Sequence, residues 1–295
     1  MTAAPSTATR RRRRRNGIDT PLARTLKVLF SIFWGLVVAL PLYYLLLTSL
    51  HSQGGYLTGN QWLPTSDFTF EQYVSVIQNG FGQFFLNSVI VTASAVILTL
   101  VIGILAAYRI VLNRTWLSRS AFRYLLIGLA VPVQSLMIPV FIEVEHIGLY
   151  DSLWALILTG TVFQLPVTVL ILVNFLRDVP RELIEAMQVD GASDMGILWR
   201  LILPMSRSVI IMLCIFDGLT NWNQFVLPLV LTSSNGTKTL PLELFSFMSQ
   251  FGVNVPGVLA SVVLSTLPLV LAFIFGYRYL IAGLGGGFVP GSSEK

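Results

Sequence analysis

Charge is what this chain has least of. Nineteen Lys and Arg and 14 Asp and Glu are spread over 295 residues, far too few to coat a soluble protein of this size. A single cysteine, Cys214, excludes an internal disulfide, and with only two histidines, His51 and His146, a Cys/His metal site has no ligand set. Three lysines are present, Lys27, Lys238 and Lys295, and none follows a glycine. A P-loop needs Gly-Lys followed by Ser or Thr, so the chain has no recognisable ATP site of its own. The Gly283–Gly287 run, GLGGG, lacks the preceding strand and following helix of a dinucleotide fingerprint.

What remains is apolar. Hydrophobic residues make up 54% of the chain and mean hydropathy is +0.75, the composition of an integral membrane protein. A helix needs ~20 mostly apolar residues to cross a bilayer. Six segments qualify, at 28–50, 84–108, 124–144, 153–176, 208–231 and 256–281, and the expected fold is an all-α bundle of six transmembrane helices. No interval between them could hold a soluble domain of ~50 residues.

Cationic residues orient the bundle. With a cytoplasmic N-terminus, every Lys and Arg except Lys238 falls on the cytoplasmic side, the bias expected of a multi-pass membrane protein. Both termini are therefore expected in the cytoplasm, with a basic tail over 1–27, a membrane domain over 28–281 that includes a cytoplasmic loop at 177–207, and a second tail over 282–295. The Arg10–Arg15 run reads as a topology anchor. The first apolar segment is too long for a twin-arginine export signal, and no A-x-A site follows it. The net charge of +5 calls for anionic lipid, not nucleic acid. Residues 1–20 offer no apolar surface to bury and are expected to be disordered.

Polar residues inside spans are costly in lipid and normally face protein or water. Asp217, Asn221 and Gln224 share one face of the fifth segment by their spacing, as Thr161, Gln164 and Thr168 do on the fourth. Such stripes line a hydrophilic pathway or act as hydrogen-bonding glue between helices. Prolines at 41, 132, 139, 166, 228 and 268 fall within or at the ends of spans, where they mark kinks. In the first outer loop, FTFEQYVSVI reads as a short surface helix before the second span.

The most informative stretch is ELIEAMQVDGASDMGILWRLILP, Glu182 to Pro204. Asp178 and Pro180 suit a helix start, and Leu183, Ile184 and Met187 give that helix an apolar face. Asp190-Gly191 ends it, because Gly accepts the left-handed conformation. Ser193 or Asp194 caps a second helix bearing Ile197, Leu198, Leu201 and Ile202, stopped at Pro204.

This stretch resembles the cytoplasmic EAA loop of ATP-binding-cassette importer permeases. The match runs through Glu185-Ala186-Met187, Gly191 and the closing Leu201-Ile202-Leu203-Pro204, with Met187 in place of the second Ala. Two further segments are similar to the carbohydrate branch, near the smaller maltose-type permease. One is Trp222-Asn223-Gln224-Phe225 with Pro228-Leu229, and the other is the ending Tyr277–Gly291. In that ending Tyr277, Gly285 and Pro290 depart from the family pattern.

The resemblance implies one half of a sugar translocation path, with ATP and Mg bound by a separate dimer of ATPase subunits and no cofactor on this chain. It also implies a second permease subunit and an extracytoplasmic sugar-binding protein. Glu185, Ala186, Met187, Asp190, Gly191, Ala192, Leu203 and Pro204 are then expected at the ATPase contact. Asp217, Asn221, Trp222, Asn223, Gln224 and Phe225 are expected along the substrate path. A secondary transporter driven by an ion gradient is the alternative, but it would want an intramembrane carboxylate network, and only Asp217 lies clearly deep.

Overall fold

The computed structural model describes residues 21–64, 67–113, 115–249 and 252–285. Almost everything in it is helical. Helix α1 (Pro21–Thr48) exposes apolar side chains along most of its length, from Leu22 to Leu46. A short α2 (Gln53–Thr58), capped by Ser52, and α3 (Glu71–Val76) follow. The helix expected on the surface before the second span is not superficial, since Val76 is fully buried and Gln72 nearly so. It runs through a π turn at Ile77–Phe81 into α4 (Gly82–Leu112), so that 71–112 forms one extended apolar unit. Gly80, at φ +103°, supplies the kink that a side chain would resist.

The third segment departs from the expected single span. Its halves are α5 (Trp116–Gly128) and a 3-10 turn at Val133–Leu136 leading into α6 (Met137–His146), and they meet at 96°. The cause is Pro132, which has no N–H to continue a helix and sits at ψ 130°. Helix α7 (Leu153–Arg177), capped by Ser152, runs uninterrupted despite Pro166.

Beyond α7 come α8 (Arg181–Val189) and α9 (Asp194–Ile197), then a π turn at Leu198–Ile202 and α10 (Leu203–Met205). The fifth segment is also broken, into α11 (Arg207–Trp222) and α12 (Val226–Leu231). Pro228 explains this break, because its ring clashes with the carbonyl four residues earlier, that of Gln224. After α13 (Leu240–Glu243) and a hairpin of β1 (Met248–Ser249) with β2 (Gly252–Val253), α14 (Val255–Gly285) closes the described chain. The motif residues from Gly286 to Gly291 and the basic run at 10–15 lie outside the described residues.

Three helical units, Leu22–Thr48, Glu71–Leu112 and Leu153–Arg177, are each long and apolar enough to cross a membrane unbroken. Helices α4 and α7 share the most extensive interface. Small residues allow the close approach, as membrane packing favours. A Cβ added to Gly103 would lie 3.0 Å from Thr168 Cγ2 of α7. Around this pair, one apolar cluster gathers Tyr108, Leu172, Val173, Leu176, Ile197, Leu198, Ile202 and Leu213 at the end where residues 178–206 turn. A second cluster, with Val91, Val144, Leu156, Leu227 and Leu231, fills the opposite end.

Replacing Gly103 with Leu should therefore overpack the α4–α7 contact and cost about 1–3 kcal/mol. Thermal unfolding in detergent measures this. Gly35→Leu is the comparator, since a Cβ there meets nothing within 4 Å, and it should leave the midpoint nearly unchanged.

Candidate functional site

The 178–206 turn is built from two unlike halves. Helix α8 has no buried residue. Its start is set by Pro180, and no side chain caps it, so Asp178 ends α7 and does not cap α8. Glu185 and Ala186 are exposed, Met187 and Ile184 half-buried, and Val189 is 87% exposed. Asp190 closes the helix and Gly191 follows at φ +79°, a left-handed conformation strained for any residue with a Cβ. The Gly191 N–H donates to Gln188 O at 3.0 Å and the Ala192 N–H to Met187 O at 2.9 Å.

The second half is anchored. Of the two candidate caps, Ser193 does the work, its Oγ accepting from the Gly196 N–H at 3.2 Å. Ile197, Leu198 and Ile202 are buried in the cluster with α4 and α7, while Leu203 is half-buried and Pro204 exposed. Two polar contacts fasten the same half to the end of α4. Tyr108 donates to Asp194 O at 2.9 Å, and Arg109 pairs with the Asp194 carboxylate at 3.1 Å. This fastening has no local signal, and by sequence Arg109 reads only as a topological charge.

The polar stripe of α11 faces α7. Asp217 is fully buried, its Oδ1 accepting from Gln164 Nε2 at 2.7 Å and its Oδ2 from Thr168 Oγ1 at 3.0 Å. Thr161 bonds within its own helix, to Ile157 O. Asn221 donates to Asp217 O at 2.9 Å, and its Oδ1 would lie 2.5 Å from a Cβ at Gly160. The bonds of Gln164 and Thr168 to Asp217 join α7 to α11, whereas those of Thr161 to Ile157 and of Asn221 to Asp217 stay within one helix. The accessible face of α11 is another one, carrying Phe216, Thr220 and Asn223.

The expected path residues thus separate into two groups. Asn221 and Gln224 border a narrow nook with Ser88, Thr92, Gly160 and Thr239. Trp222, Asn223 and Phe225 line a wider groove between the α11–α12 break, α13 and α14, completed by Pro241, Ser265 and Thr266. Within it Trp222 is largely buried, its Nε1 donating to Ser265 O at 3.2 Å and its ring meeting Phe85 edge-on.

At the other end of the bundle an unanticipated carboxylate organises the outer loop. Asp151 accepts from the Ser233 and Ser234 N–H groups at 2.9 and 3.1 Å and from Thr237 Oγ1. These bonds hold its carboxyl well below the usual carboxylate range. Asn87 Nδ2 donates to Gly236 O and Lys238 O, and Ser88 Oγ accepts from the Leu240 N–H. The segment after α12 is thereby strapped to the start of α4. Among the described residues no His, Cys, Asp and Glu group is arranged to hold a metal ion.

Glu243, enclosed where α13 packs on α4 and α14, is pushed up to about 7 by burial. Its folded form keeps a proton that the unfolded chain releases above 4.5, so stability should fall as pH rises between those values. The midpoint of thermal unfolding is expected to drop from pH 5 to pH 8, and Glu243→Gln should flatten the slope. An unchanged slope in the variant would assign the pH dependence elsewhere.

The chain matches the family model described as "Binding-protein-dependent transport system inner membrane component" over residues 99–285. It is 34% identical to a putative ABC transporter permease protein, ORF2, of Caldicellulosiruptor sp. (strain Rt8B.4), with 89% of this chain and 96% of that one covered. It is 30% identical to the diacetylchitobiose uptake system permease protein NgcG of Streptomyces coelicolor (strain ATCC BAA-471 / A3(2) / M145), covering 87% and 85%. Among solved structures it is similar in fold to a chain of a bacterial ABC transporter involved in the import of the acidic polysaccharide alginate. The TM-score is 0.77 at 19% identity, over 88% of this chain and 98% of that one.

Proposed function

This chain belongs to the family of binding-protein-dependent transport system inner membrane components, and we propose that it is a permease subunit of an ATP-driven importer for a mono- or oligosaccharide. It is a multi-pass membrane transport component and not an enzyme. The carbohydrate class follows from the similarity to a diacetylchitobiose permease.

The single observation that carries the mechanism is the asymmetry of the 178–206 turn. A largely exposed helix, α8, touching the bundle only through the half-buried Ile184 and Met187, is joined through a left-handed glycine to a half whose apolar face is locked into the bundle. That is the form of a lever with one free arm. In this reading α8 docks in a separate ATPase that binds ATP and Mg, with Glu185 available for a charge-assisted contact and Val189 for an apolar one. Closure of the ATPase dimer then moves the spans as a rigid body. The turn and both termini lie on the cytoplasmic side, and the apolar bundle is embedded in the bacterial cytoplasmic membrane.

A second permease subunit completes the path, and an extracytoplasmic binding protein delivers the sugar. The groove holding Asn223, Phe225, Ser265 and Thr266 supplies this chain's share of the lining. Amide and hydroxyl groups beside an aromatic face suit a sugar.

Gly191→Val should leave the chain inserted in the membrane but abolish most transport, because the β-branched side chain disfavours the positive φ the turn requires. Transport assays paired with membrane fractionation test this; normal uptake by the variant would refute the lever. Cysteine labelling tests the lining. In a Cys214→Ser background, Asn223→Cys should react with a water-soluble thiol reagent in a nucleotide-dependent way, while Asp217→Cys stays protected. Equal protection at both positions in every state would remove the groove from the path.

A further inference from the structure

Helix α5 sits at the same end of the bundle as the 178–206 turn, wedged against α4 and α7. It is short, amphipathic and set at a right angle to the helix after it, so the two cannot both run along the bilayer normal. Its exposed apolar side chains include Trp116, Leu117, Tyr124 and Ile127, while the buried Phe122 and the half-buried Leu125 and Leu126 hold it to the core. An amphipathic helix with aromatic and basic residues of this kind lies in the plane of the headgroups.

Between α5 and the ends of α4 and α7 is an open cavity of about 750 Å³. Arg119 and Arg123 reach it from successive turns of α5, and Arg177 from the last turn of α7, with Trp116 at its edge. The Arg177 guanidinium lies 5.3 Å from the centre of the Phe122 ring, which orients it by cation–π attraction. No carboxylate lines the cavity, and the one ion pair among the described residues, Arg109–Asp194, does not involve these three arginines. An acid, Glu185, borders the adjoining groove, which shares Val111 and Arg177.

Three fixed positive charges around one opening, without a negative charge among them, call for an anion. The guanidinium fork matches phosphate oxygens in a bidentate fashion, and the apolar rim of α5 suits acyl chains. We propose that this cavity is a binding site for the phosphate of an anionic phospholipid, held at the membrane surface beside the 178–206 turn. The proposal rests on the reading of the chain as membrane-embedded with this end in the cytoplasmic leaflet. Through Arg177, the bound lipid would brace the end of α7 from which α8 departs.

The full-length chain, purified in a neutral detergent, is titrated with phosphatidylglycerol, phosphatidylcholine or inorganic phosphate and followed by native mass spectrometry. The expected result is retention of phosphatidylglycerol at least tenfold above phosphatidylcholine, with no retention of free phosphate at equal concentration. R119Q/R123Q should lose that preference by about tenfold or more, and R119K/R123K should recover part of it. R24Q/K27Q removes as much charge from exposed positions outside the cavity, and should keep the preference. Equal loss in the two Gln doubles would reduce the effect to general surface charge and overturn the site, as would free phosphate competing as well as the lipid. A wild-type chain with no preference for the anionic lipid would overturn it as well. None of these readouts depends on transport, so failure of the lipid site and failure of the importer reading are separable.

Discussion

One buried carboxylate fixes the relation of the helices to each other. Asp217 carries no cation partner, yet it lies between α11 and α7 with both oxygens satisfied by an amide and a hydroxyl. A polar group left unsatisfied at such a place costs about 1–3 kcal/mol, and more when charged. Any sliding or rotation of α11 against α7 would break both bonds at once. Since α7 is in turn seated on α4 through Gly103 and Thr168, three helices behave as one block. The rest of the molecule is arranged around that block, with the 178–206 turn on one end and the Asp151 strap on the other.

This block explains how a signal at one end can be felt at the other. The second half of the turn is part of the same apolar cluster as α4, α7 and α11. Displacement of this half of the turn is therefore carried into the bundle through buried apolar contacts. The chain bends sharply where α5 meets α6, at 96°, and where the second half of the turn meets α11, at 75°, and α11 is also interrupted before α12. The groove lined by Asn223 and Phe225 opens at the last of these breaks, where the backbone has left the helix and its polar groups need other partners.

Much of this was legible in the sequence. Hydropathy marked the apolar helices, three of which are long enough to cross a membrane unbroken, and the Asp190-Gly191 pair announced a left-handed turn that Gly191 adopts. The resemblance carried by the EAA segment led to the family. Periodicity also placed Asp217 and Asn221 on a common face, but it cannot say what that face meets. Only the fold shows it pressed on Gln164 and Thr168. Pro132 and Pro228 were visible as kinks, whereas the 96° angle depends on packing around α5. The Asp151 strap left no local signal at all, because its partners stand more than eighty residues away. The Arg109–Asp194 contact was hidden for the same reason.

That last contact differs in kind from everything it helps to hold. Both side chains are more than half exposed, so water and salt compete for the pair and its net worth is about 0–1 kcal/mol. The apolar anchors beside it, Ile197 and Ile202, are sealed from solvent. The lever is thus mounted on a permanent bearing and checked by a catch that thermal motion can open. Raising ionic strength would free the catch while sparing the bearing. A transporter built this way can idle with its arm steadied and still release it without unpacking a single buried side chain.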